Sequence, residues 1–70
     1  MDEQEFLHKV SVDTNVNIEL LKDLTGNEKF WSLIRTRKTT EAIMLLRDVI
    51  PKIGLREAKK VVDAFVDQYN

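Results

Sequence analysis

The sequence predicts an all-α domain of four or five short helices built on a C-terminal αα-hairpin. Three observations predict it. Only two glycines and one proline interrupt 70 residues, so regular structure with short connections should fill the chain. Apolar residues recur at three- and four-residue spacing through most of the length, which is the helical period. At 43% hydrophobic and 33% charged, the chain is apolar enough to fold and too short for a second core, so residues 1–70 are read as one domain.

The elements follow in order. Asp2 to Val10 carries Phe6, Leu7 and Val10 at helical spacing and is read as a first short helix; the alternation Phe6, His8, Val10, Val12 would equally suit a strand. From Thr14, the Asn15-Val16-Asn17 stretch supplies side-chain oxygens for the free amides of a new first turn, after which Ile18, Leu21 and Leu24 repeat every three residues. Gly26 stands where a helix end favours a residue tolerant of positive φ. Asn27 is expected to cap a third helix, with Glu28 near the positive end of its dipole. Phe30, Leu33 and Ile34 share a face there, Trp31 lies at its edge, and Arg35 and Arg37 fall in the last turn. The rival reading is an edge strand, because Phe30-Trp31-Ser32-Leu33-Ile34 is rich in β-formers.

Thr39 or Thr40 should cap a fourth helix whose stripe is Ala42, Leu45, Leu46, Val49 and Ile50. Pro51 stops it by pushing its predecessor out of the α region. Gly54 opens the last helix, with Leu55, Ala58, Val61, Val62, Phe65 and Tyr69 on one side and Arg56, Lys59, Lys60, Asp63 and Asp67 mostly on the other. The shared pattern Glu41-Ala42-x-x-Leu45-Leu46 and Glu57-Ala58-x-x-Val61-Val62 suits two helices packed face to face, and their short connection makes them an αα-hairpin. The helices around Leu21 and Phe30 are expected to close over this hairpin.

Composition narrows the function. Cysteine is absent, which removes disulfides and thiolate metal sites. A domain of this length hides only about 60% of the surface its unfolded chain exposes, so marginal stability is expected unless a metal or a partner chain helps. The start, Met-Asp-Glu-Gln-Glu, is acidic where a secretory signal is basic, and no apolar run approaches the ~20 residues that cross a bilayer, so a cytoplasmic protein without a membrane segment is expected. His8 is the sole histidine and no partner is placed to make it a general base. Ser11 and Ser32 sit in no glycine-flanked elbow. Asp13-Thr14-Asn15-Val16-Asn17 begins like a calcium loop, but Ile18 and Leu24 occupy the positions that need glycine and glutamate. Neither Gly26 nor Gly54 belongs to a phosphate-binding fingerprint; the amides near Gly54 with Arg56 and Lys59 leave only a weak anion-site signal. No catalytic residue, metal or cofactor is therefore expected.

The net charge of -1 conceals a division. Residues 1–28 hold seven acids and two bases, a net of -5, while residues 29–70 hold nine bases and five acids, a net of +4. Between Lys29 and Lys60 the nine bases meet three acids, Glu41, Asp48 and Glu57. Such a face, with Arg35, Arg37, Lys38, Arg47, Arg56 and Lys59 on it, suits an acidic surface on a partner protein; the alternative is nucleic acid bound through the same bases, with a basic helix entering a groove. A monomer and a homodimer both remain open, the latter if Trp31, Met44 or Phe65 is exposed.

Two stretches carry a resemblance, Arg37-Lys38-Thr39-Thr40-Glu41-Ala42-Ile43 and Ile53-Gly54-Leu55-Arg56-Glu57-Ala58-Lys59-Lys60-Val61-Val62-Asp63. Together with Arg47 they resemble the C-terminal domain of the bacterial ribosomal stalk protein, and more closely the small stand-alone helical proteins that carry its central hairpin. The likeness covers about residues 33–65. Ile50-Pro51-Lys52 replaces that family's Thr-Gly, and Met44 stands where it usually has lysine. The resemblance implies a docking hairpin for protein partners, with Lys38, Ile43, Arg47, Gly54, Leu55, Arg56 and Lys59 at the matching positions.

Overall fold

A computed structural model describes residues 2–69. It contains five helices, α1 (Glu3–Thr14), α2 (Ile18–Thr25), α3 (Glu28–Arg35), α4 (Thr39–Val49) and α5 (Leu55–Tyr69), and no strand among the described residues. Both segments that also read as strands are helical. In α1 the buried side chains are Phe6, Leu7, Val10 and Thr14, one stripe at the helical period, whereas the alternation would have turned His8 and Val12 inward and both are exposed. In α3, Phe30 and Ile34 are fully buried one turn apart.

The caps decide where the helices begin and end. The Asp2 carboxylate accepts from the Glu5 N–H at 2.8 Å and starts α1. That helix runs four residues beyond Val10 because Thr14 is buried, its hydroxyl donating to the Val10 carbonyl at 2.7 Å, and Asn15 ends it in the left-handed region at φ 59°. Asn17 and Asn27 accept from Glu19 N–H (2.8 Å) and Phe30 N–H (3.0 Å), so the expected asparagine caps of α2 and α3 both form.

Three expectations at the connections need correction. Gly26 has φ -90°, so the α2–α3 corner uses no positive φ; its N–H bonds back to the Asp23 carbonyl at 3.2 Å instead. Helix α3 stops at Arg35, and Arg37 lies beyond it in the left-handed region at φ 57°. Around it the Arg37 N–H donates to the Ile34 carbonyl (3.1 Å) and the Lys38 N–H to the Leu33 carbonyl (2.9 Å), the two bonds of a Schellman motif with arginine where glycine is usual. Helix α4 is capped by neither Thr39 nor Thr40: both are inside it, and Lys38 holds the N-cap position without a side-chain bond. Pro51 ends α4 as expected, as the second residue of a turn closed by Ile53 N–H to the Ile50 carbonyl at 3.1 Å.

Helix α5 is the spine. It packs on α4, α3 and α1, and the α4–α5 hairpin is the most extensive pairing. The cover over the spine comes from α1 and α3, with α2 packed chiefly on those two, rather than from α2 and α3. Phe65 is fully buried at the centre, its ring edge-on to Phe6 (5.1 Å) and Phe30 (5.2 Å). Leu46, Val61, Val62 and Ala58 fill the hairpin seam, and Ile50 and Ile53 turn their side chains inward at its closed end. Three residues read from the sequence as stripe members lie outside: Leu55 (59% exposed), Tyr69 and Val49. Among the described residues no helix is long and apolar enough to cross a membrane.

Candidate functional site

The bases expected to form one face sit in two groups at opposite ends of α4. Arg35, Arg37 and Lys38 surround the α3–α4 turn, ahead of Thr39; Arg47, Gly54, Leu55, Arg56 and Lys59 surround the α4–α5 turn, at and beyond the other end. Eleven helical residues put about 16 Å between the two ends, in a molecule measuring 26 × 24 × 19 Å. Ile43 falls between them and is half-buried, so it joins neither group as a free contact.

Arg35, Arg37, Lys38, Arg47, Arg56 and Lys59 are all exposed. Among the described residues the one ion pair is Lys22 with Glu19, at 3.5 Å on the surface of α2, so none of these six bases is neutralised by a salt bridge within the fold. The acidic segment up to Glu28 therefore offsets the basic half in number and not by direct contact.

At the α4–α5 turn, Leu55 is exposed between Gly54 and Arg56. The Glu57 carboxylate folds back against Gly54 and fills the space a Cβ there would take. A carboxylate of the chain itself thus stands beside the helix entrance, where the sequence carries only a weak anion-site signal. Next to it an open depression of about 380 Å3 separates this turn from the α1–α2 turn, with Asn15, Asn17, Lys52 and Glu57 around its rim and Leu20 and Ile53 in its wall.

At the α3–α4 end Arg35 lies beside two aromatic residues. Trp31 is half-buried, its indole N–H donates to the Thr25 carbonyl at 2.6 Å, and its ring meets Tyr69 edge-on at 4.5 Å and Phe65 at 5.6 Å. Trp31, Arg35 and Tyr69 line an open slot of about 320 Å3. Burial, and secondarily the nearby Glu3 carboxylate, push the Tyr69 hydroxyl above its ordinary value of 10.0. The sequence carries no sign of this slot. Trp31 and Tyr69 are far apart in the chain, and only the packing of α3 on α5 brings them together.

Of the residues weighed for self-association, Phe65 is fully buried and Trp31 half-buried, while Met44 is 64% exposed. His8 is exposed on α1, and the Asp13–Asn17 run forms the end of α1 and the cap of α2.

No family model, no curated protein and no solved structure matches this chain. The likeness of residues 33–65 to the stalk hairpin rests on the sequence motifs alone.

Proposed function

We propose that this chain is a cytoplasmic protein-interaction module, without catalysis of its own, that docks an acidic surface of a partner protein through the bases at the two ends of α4. One observation carries the reading: six exposed bases, none in a salt bridge among the described residues, sit on a domain whose remaining charges make it slightly acidic. Unpaired charges of this kind raise the association rate and reject like-charged partners, while the lasting contact comes from apolar groups beside them. Leu55 and Met44 supply such groups on the hairpin, and Trp31 and Tyr69 at the other end. The resemblance of the hairpin to a family of docking hairpins supports the same reading.

The test is affinity capture with the native chain, with Arg47→Glu plus Lys59→Glu, and with Arg35→Glu plus Lys38→Glu. The expected result is loss of a common set of protein partners by one or both variants. Identical partner lists contradict the reading. A fluorescence anisotropy titration with DNA and RNA at low salt separates the alternative: binding that falls steeply with salt would replace a protein partner by nucleic acid.

A further inference from the structure

The slot between α3 and α5 is formed by an unusual set of residues. Trp31, Arg35 and Tyr69 are the three residue types most enriched among the side chains that dominate binding at protein interfaces. Here they meet in one place, and the place is rigid. The indole is held by its bond to the Thr25 carbonyl and wedged against Phe30, Phe65 and Tyr69, so a ligand need not immobilise it. Its volume of about 320 Å3 lies at the small end of the range for ligand sites, which suits one large side chain rather than a folded element.

Charge around the slot is directional. Arg35 lines the slot itself, and Arg37 and Lys38 follow it by two and three residues, ahead of the acid Glu41 in the first turn of α4. Glu28 precedes Trp31 by one helical turn, and Glu3 lies close enough to act on the Tyr69 hydroxyl. A phosphate backbone, charged along its whole length, would meet Glu28 and Glu3 whichever way it ran. A peptide with an apolar side chain and acids on one side of it would not.

We infer that the Trp31–Arg35–Tyr69 slot seats a single aromatic or large aliphatic side chain of a partner peptide whose acidic residues, on one side of that anchor, extend over Arg35, Arg37 and Lys38. This rests on the docking reading above and names where the partner is anchored and what its contacting segment contains. The α4–α5 turn then serves as the peripheral charged contact, since its exposed side chains Val49 and Leu55 are aliphatic and stand on a surface that also carries Asp48 and Glu57.

Trp31 is the sole tryptophan of the chain, so its fluorescence reports the slot directly. The probes are two synthetic peptides with one phenylalanine, followed by four aspartates in one and preceded by them in the other, and their versions with alanine in place of phenylalanine. At low salt one phenylalanine peptide is expected to shift Trp31 emission to the blue and protect it from acrylamide. Its alanine version should bind at least about tenfold more weakly, the size of effect that one anchor side chain commonly has. Arg35→Glu, a surface change that leaves the aromatic packing in place, should abolish the response. Equal binding of the phenylalanine and alanine versions, or binding that leaves Trp31 unchanged and responds only to Arg47→Glu plus Lys59→Glu, overturns the slot and leaves the docking reading standing. No binding by any peptide overturns both, and an oligonucleotide that protects Trp31 as strongly as the peptide replaces the partner proposed.

Discussion

The two ends of α4 carry similar charge on different supports. At the α3–α4 end the backbone turns through a Schellman motif with Arg37 in the left-handed region, and Arg35 lines a slot with Trp31 and Tyr69, whose rings both meet the buried Phe65. At the α4–α5 end the bases surround a proline turn and Gly54, with Asp48 and Glu57 among them and Val49 and Leu55 exposed. A count of Lys and Arg makes the ends look alike. Their surroundings differ: at one end Arg35 lies beside Trp31 and Tyr69, while at the other the bases stand among Asp48 and Glu57. Rim charges steer a partner, whereas rigid aromatic groups hold it.

The contrast is broken most severely from beneath the aromatic end. Phe65→Ala removes a fully buried ring in edge-on contact with two others and should cost about 3–5 kcal/mol. That is most of the stability of a chain this short, on the order of 4–10 kcal/mol. Urea denaturation followed by circular dichroism is expected to show it largely unfolded, while Leu55→Ala, exposed at the other end, should stay within about 0.5 kcal/mol of the native chain. Comparable losses for the two variants would mean that both ends are supported by the core alike.

Next in size is Asn27→Ala, which takes the cap from α3, the helix that carries Trp31 and Arg35, and should cost about 1 kcal/mol by the same measurement. Arg37→Gly acts in the opposite direction. Glycine removes the cost of a left-handed arginine and should raise stability by about 0.5–1 kcal/mol, net of the extra entropy of the unfolded chain; a loss would show that the arginine side chain stabilises the turn. The smallest effect concerns pH. Tyr69 is the sole tyrosine, and its hydroxyl is held above 10.0 by burial and then by Glu3. The folded chain therefore keeps this proton where the unfolded chain loses it, so stability is insensitive to Tyr69 below about pH 10 and falls as pH rises beyond it. Phenolate absorbance should titrate above free tyrosine, and Tyr69→Phe should remove that part of the alkaline loss; a midpoint below 10 contradicts the geometry of the slot.

The helices were legible because their signals are local. Apolar spacing marks all five, Asn17 and Asn27 announce two starts, and Pro51 announces a stop. The errors fall where backbone geometry and burial at the helix ends overrule the preference of the residue type. Thr14 prolongs α1 because its hydroxyl is buried against its own helix, and Thr39 and Thr40 fail as caps because the preceding turn brings Lys38 to that position. Arg37 takes a conformation that its residue type disfavours because the two Schellman bonds require it. The bases were equally legible, yet their division was not, since adding up charge along a chain ignores the 11 residues of rigid helix between Lys38 and Ile50. The Trp31–Tyr69 seat had no sequence signal at all; it exists only because α3 crosses the end of α5.

The most direct measurement of how the two ends share the work is amide chemical-shift mapping of the native chain at low salt against the phenylalanine–aspartate peptide that binds. The predicted result is a set of changes centred on the Trp31 indole and on Arg35, Arg37 and Lys38, with smaller, salt-sensitive changes at Arg47, Arg56 and Lys59. Changes confined to the α4–α5 turn, with Trp31 and Tyr69 unmoved, would contradict it.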